Sequence, residues 1–147
     1  MPFRCEIVTQ ERVVYSSNVD YVSLPGTEGV MGVLPNHSAM LTALAFGEVM
    51  VRSQGKEQFF AVGGGFAEIQ PDHITVLADS AEQAEEIDIE RAQKARERAE
   101  QIMKEGIPAD PVHYQQIQAA LQRAQIRMDV ARKRQHRRAV PHLMSEN

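Results

Sequence analysis

Between Phe3 and Ala78, short runs rich in valine, isoleucine, phenylalanine and threonine are broken by glycine, proline, asparagine and aspartate. The breaks recur about every eight to ten residues, a rhythm that predicts a two-layered all-β unit. The expected strands are Phe3–Val8, Arg12–Ser17, Val19–Leu24, Val30–Leu34, Leu41–Phe46, Glu48–Arg52, Gln58–Val62, Phe66–Ile69 and His73–Leu77. Polar and apolar positions partly alternate on both sides of Pro71-Asp72, where proline presets φ for a turn, so the last two strands should form a hairpin. Gly63, Gly64 and Gly65 stand between strand-like flanks and read as a turn or bulge.

The period changes near residue 80. Ala92, Ala95, Ala99 and Ile102 recur at spacings of three and four, with no glycine or proline from Asp88 to Lys104; that is a helical stripe. Asp88 suits the N-cap, and Glu90 places negative charge at the positive end of the helix dipole. Gly106, Pro108 and Pro111 then stop the helix. Ile117, Ala120, Leu121, Ala124, Met128 and Ala131 form a second stripe, which predicts two antiparallel helices. The fold class is therefore α+β: an N-terminal antiparallel β-sandwich of about ten short strands over residues 1–84, then a C-terminal two-helix antiparallel hairpin with a basic tail over residues 85–147. Large side chains on the helical contact faces are few, chiefly Ile102, Met103, Ile117, Leu121 and Met128. Each contributes about 1.5–3 kcal/mol if fully buried, before the entropy of ordering is subtracted. Docking of such a hairpin should be marginal, which suits a switch as well as a fixed structural element.

Charge sharpens the division. Residues 1–81 hold nine acids and four bases, and residues 82–147 hold eleven acids and twelve bases, within a formal net charge of −4. All five phenylalanines lie in the first part. No run reaches the roughly 20 apolar residues of a membrane span, and the N-terminus has no export-signal pattern, so a cytoplasmic location is expected. The single cysteine, Cys5, cannot form an internal disulfide and reads as a small apolar strand residue.

Candidate chemistry is sparse. The five histidines, His37, His73, His113, His136 and His142, show no zinc-site spacing, so no metal site is expected. The Gly63–Gly65 run is followed by no Lys-Ser or Lys-Thr, and Gly26, Gly29 and Gly32 do not fit the dinucleotide fingerprint. No nucleophile sits in an elbow motif, and no catalytic residue is assigned. Arg91 and Arg98 are seven apart on the first helix, and Arg123 and Arg127 four apart on the second. Four guanidinium groups beside one seam would repel one another unless an anion entered, and their forks match phosphate oxygens. The same residues also fit a solvated face with weak surface ion pairs. Arg132, Lys133, Arg134, Arg137 and Arg138 make a dense basic run. It has no interleaved aromatics to stack on bases, so an acidic protein surface or solvent is expected in place of nucleic acid.

Several segments resemble one family. Gly29-Val30-Met31-Gly32-Val33-Leu34-Pro35-Asn36-His37 is similar to the G-x-x-G-I-L-P-x-H segment of the epsilon subunits of bacterial rotary ATP synthases. Ala61 to Pro71 resembles that family's V-x-G-G-F-x-E-V-x-P segment, and Ile87-Asp88-Ile89-Glu90-Arg91-Ala92 contains its I-D-x-x-R-A signature. The resemblance implies a non-catalytic rotor-stalk subunit that binds the gamma subunit and rests on the membrane c-ring, on the cytoplasmic side of the inner membrane and peripheral to it. It implies ring contact through Glu28, Val30 and His37, although Val30 stands where the family often has an acid. It further implies ATP as a regulatory ligand, with no cofactor required, at Glu82, Ile87, Asp88, Arg91, Ala92, Arg98, Arg123 and Arg127. Extended helices would approach the alpha and beta subunits and restrain hydrolysis through the basic run. A free-standing nucleotide-binding module is the other reading of the arginine cluster.

Overall fold

The computed structural model describes residues 2–106 and 110–139, with side chains as far as residue 134. The chain divides into two compact units, Met1–Gln83 and Ala84–Asn147. The first contains β1 (Phe3–Val8), β2 (Val13–Val19), β3 (Tyr21–Gly26), β4 (Gly29–Val33), β5 (Met40–Ser53), β6 (Lys56–Ile69), β7 (His73–Ala78) and β8 (Ala81–Gln83). The second contains α1 (Ile89–Lys104) and α2 (Pro111–Ala139), preceded by a 3-10 turn at Ala84–Glu86.

The eight strands form one sheet in the order β2-β1-β7-β6-β5-β3-β4, with β8 also paired to β6. The sheet does not close, and it doubles over so that strands distant in this order meet. Tyr15 on β2 packs edge-on against Phe60 on β6 with ring centroids 5.4 Å apart, and Ser53 at the end of β5 donates to the Asn18 carbonyl oxygen at 2.9 Å. Between the layers lie Ile7, Val19, Leu24, Phe60, Ile69 and Ile74, all essentially inaccessible to water. Every member of this core falls between Phe3 and Ala78.

Two expectations are corrected. The sheet is mixed, because β1 runs parallel to β7, with Cys5 opposite Ile74; alternation along a strand is the same for either partner direction and carries no sign of it. There are eight strands among the described residues in place of about ten. Leu41–Phe46 and Glu48–Arg52 are one strand, β5, and Gln58–Val62 and Phe66–Ile69 are one strand, β6. These two long strands are joined by Gln54 (φ 52°) and Gly55 (φ 77°), the paired positive φ values of a type I′ hairpin turn. Gly47 lets β5 continue where a break was expected, since a Cβ there would lie 2.5 Å from the Pro25 Cβ. Pro25 marks the register shift between β3 and β5, as expected of a residue that has no N–H to give the ladder. Gly63–Gly65 do not turn the chain either. β7 and β8 pair with β6 in one continuous register on both sides of them, and Gly63 N–H donates to the Ser80 carbonyl at 2.9 Å.

Candidate functional site

The helical unit is built by local signals. Asp88 caps α1, its carboxylate accepting the Arg91 N–H at 3.1 Å, and Glu105 and Gly106 (φ 134°) end it. Asp110 caps α2 by accepting the Val112 N–H at 3.0 Å, with Pro111 at the first helical position, where a missing N–H costs nothing. Ala92 and Ala99 of α1 and Ile117, Ala124, Met128, Val130 and Ala131 of α2 are buried. Of the five large residues expected at the contact, only Ile117 and Met128 are fully buried. Ile102 is exposed, which corrects its place in the stripe, and Met103 and Leu121 are half-buried. Two full burials contribute about 3–6 kcal/mol, a thin seam for two helices.

The residues expected to hold a nucleotide fall into two groups. Ile87, Asp88 and Ala92 have structural work: Ile87 and Ala92 are buried, and Asp88 is the cap. Arg91, Arg98 and Arg123 are exposed and Arg127 is half-buried, two on each helix of the same hairpin. Glu82 lies on β8 opposite Ala61, whose other neighbour is Glu48 on β5, so both carboxylates flank Ala61 on one face of the sheet. A polar bridge across the helical seam comes from Arg96, which the sequence did not single out. Its Nη1 donates to Gln125 Oε1 at 3.2 Å, its Nε lies 3.5 Å from Glu100 Oε1, and Gln125 Nε2 donates to Asp129 Oδ1 at 3.0 Å. In the basic run, Arg132 and Lys133 are exposed and Arg134 is half-buried. Arg137 and Arg138 lie on α2 with side chains outside the described residues.

Glu28 is exposed in the tight turn between β3 and β4, and Val30 is 80% exposed at the start of β4. His37 follows the other end of β4, its Nδ1 2.7 Å from the Ser38 carbonyl, in a segment fixed by Asn36 N–H donating to the Pro71 carbonyl at 2.9 Å. Glu28 and His37 therefore flank the two ends of β4, with Val30 on the strand itself.

A surface feature missed by the sequence reading lies on β5, β6 and β7. Phe66 is 53% exposed and stands directly opposite Leu77, 50% exposed, while Leu41, 68% exposed, sits on the same face two positions from Phe66's other partner, Ala43. Large apolar side chains uncovered in a row mark an interaction surface. The period-2 pattern contained them, but strand alternation alone does not say which apolar face stays uncovered.

No group of three or more histidine, cysteine or acidic residues among the described residues has the arrangement to hold a metal ion. Cys5 is buried; desolvation first, and then the Glu6 charge, push its thiol up to about 12, so it stays protonated at neutral pH and is not a nucleophile.

With this geometry in place, comparison with known proteins is specific. Residues 2–84 match the family described as "ATP synthase, Delta/Epsilon chain, beta-sandwich domain", and residues 85–132 match "ATP synthase, Delta/Epsilon chain, long alpha-helix domain". The chain is 50% identical over 125 residues to the ATP synthase epsilon chain of Nitratidesulfovibrio vulgaris, covering 85% of this chain and 92% of that one. It is 45% identical over 137 residues to the ATP synthase epsilon chain of Herpetosiphon aurantiacus, covering 93% and 99%. Among solved structures, it resembles a chain of the Euglena gracilis mitochondrial ATP synthase (OSCP/F1/c-ring) with a TM-score of 0.71 and 26% identity, covering 84% of this chain and 78% of that one. A chain of the Tetrahymena thermophila mitochondrial ATP synthase central stalk and c-ring shares the fold at a TM-score of 0.63 and 10% identity, covering 89% and 97%.

Proposed function

The chain belongs to the ATP synthase delta/epsilon chain family, and from that premise we propose that it is a non-catalytic central-stalk subunit of a proton-translocating F-type ATP synthase. The observation that carries this reading is the uncovered row of Leu41, Phe66 and Leu77 on the sandwich. A free-standing nucleotide-binding module has no use for such a surface, whereas a stalk subunit needs one to grip its neighbour. The gamma subunit is the partner assigned to it. The turn carrying Glu28 and Val30, with His37, is assigned to the membrane rotor ring. Val30, apolar and uncovered, favours an apolar contact there over an ionic one. No helix among the described residues is long and apolar enough to cross a membrane; attachment to the cytoplasmic side of the inner membrane would come through the complex. Tagging this chain and solubilising membranes in mild detergent should recover a large assembly containing gamma. Recovery of the chain alone rejects the stalk reading.

The helical hairpin is the regulatory part of the proposal. ATP would enter beside Arg91, Arg98, Arg123 and Arg127 and favour the folded form, and in its absence the helices would extend toward alpha and beta. Shifting a population from one to ninety-nine per cent folded needs about 5.5 kcal/mol of differential binding. Two or three charge-assisted bonds of roughly 1.5–3 kcal/mol each supply it. Calorimetric titration of the isolated chain with ATP is expected to show saturable heat that the Arg123→Ala, Arg127→Ala double variant loses. Absence of heat from the parent chain, or equal binding by both, rejects ATP sensing at this site.

A further inference from the structure

The helical unit is closed at both ends of its seam by different means. At one end the chain itself connects α1 to α2. At the other end, Arg134 Nε approaches Glu85 Oε1 at 2.9 Å, joining α2 to the 3-10 turn just before the cap of α1. Midway, Arg96 binds Gln125 across the seam while Glu100 and Asp129 hold these two side chains from their own helices. The apolar contact between these points is mostly alanine.

We propose that Glu85–Arg134 is an electrostatic latch on the open end of the hairpin, with the Arg96–Gln125 bridge as its second point of attachment, so that ionic strength sets how often the helices part. The contact is of the right kind for a latch. Arg134 Nε meets Glu85 through a single charged contact at 2.9 Å between side chains 28% and 37% exposed, and Arg96 Nε lies 3.5 Å from Glu100 Oε1. A forked, two-bond pair would hold more firmly, whereas a single contact between partly exposed side chains weakens in part as salt shortens the Debye length from about 10 Å at 0.1 M to about 3 Å at 1 M. Both fastenings act on one seam, so loss of either weakens the hold of the other.

The latch also gives Arg134 two alternative uses. While Glu85 holds it, Arg134 is withheld from any acidic surface outside the chain, so Glu85 is the internal competitor of the basic run. This last step rests on the reading of that run as a brake; the latch itself does not.

The experiment uses the full chain alone. Spin labels on cysteines at Gln93 and Gln122, both exposed, report the distance between the helices, and the buried Cys5 is left in place. Glu85→Gln is expected to shift the closed-to-open ratio about threefold toward open in low salt, the size of a modest ion pair. Arg134→Gln should do the same, the double variant should go no further than either single one, and about 1 M salt should move the parent chain part of the way toward their level. Single effects that add in the double variant overturn the latch, as does a distance distribution that neither salt nor either substitution moves. Because no synthase is present, either result leaves the stalk assignment untouched.

Discussion

Gly65→Ala is expected to remove about 3–5 kcal/mol from the sandwich and bring it close to its unfolding threshold, the sum of a strained backbone and an overpacked site. Gly65 has φ 114°, where side chains are strained in any surroundings, and a Cβ there would stand 2.1 Å from the Leu77 carbonyl oxygen and 2.8 Å from the Ala78 Cα. Both are backbone atoms of the paired strand and cannot swing aside. Relief would require breaking the β6–β7 pairing at Gly65–Ala78, two positions from the buried Ala67–Val76 pair. Gly55→Ala is the proper comparison: φ is 77°, also positive, but nothing lies within 4 Å of the added carbon. It should cost only the conformational part, about 1–2 kcal/mol. Urea denaturation of the two variants beside the parent chain separates the terms. Equal losses would mean that β7 yields to the extra carbon and that the close approach has no energetic weight.

That contrast also explains what was legible in the chain. The helices were readable because their signals are local. Asp88 and Asp110 cap through bonds to residues three and two positions on, and the alanine stripe follows from a fixed period. The sandwich was readable as a class, since turn residues and alternation need no knowledge of partners. Its pairing was not: that β1 lies beside β7 and parallel to it depends on contacts some seventy residues apart in the chain, such as Cys5 with Ile74. Gly63–Gly65 resembled a break because glycine usually punctuates. Here it is demanded by Leu77 on β7 and Ser80 in the bend before β8, which no local window around the glycines contains. The same limit applied to the arginines. Spacing identified Arg91, Arg98, Arg123 and Arg127 as pairs on two helices, but which side chain crosses the seam is decided by the register of α1 against α2, and it puts Arg96 at Gln125. Phe66 and Leu77 were legible as strand residues, and only the folded sheet shows that they stay uncovered.

Ending the chain after Gly106 is expected to raise ATP hydrolysis by the assembled complex on the order of three- to tenfold, while assembly and ATP synthesis are retained. The factor is the one released if the tail holds roughly 70–90% of complexes in a blocked state, since activity then follows the unblocked fraction. The physical ground for sparing assembly is that the sandwich core is drawn entirely from Phe3 to Ala78 and the uncovered row of Leu41, Phe66 and Leu77 lies wholly outside the deleted segment. What remains of the helical unit is α1, 16 residues long. That is near the length at which an isolated helix is marginal in water, so without α2 it should fray and not act as a shortened brake. A second variant distinguishes a brake from a mere weight of missing chain. Reversing the charge of Arg132 and Lys133 to glutamate leaves α2 in place, and if the basic run seeks an acidic surface on the catalytic head, it should reproduce most of the gain. Hydrolysis unchanged by the deletion would rule out the brake. A gain from the deletion with none from the charge reversal would move the restraint from electrostatics to the bulk of the extended helix.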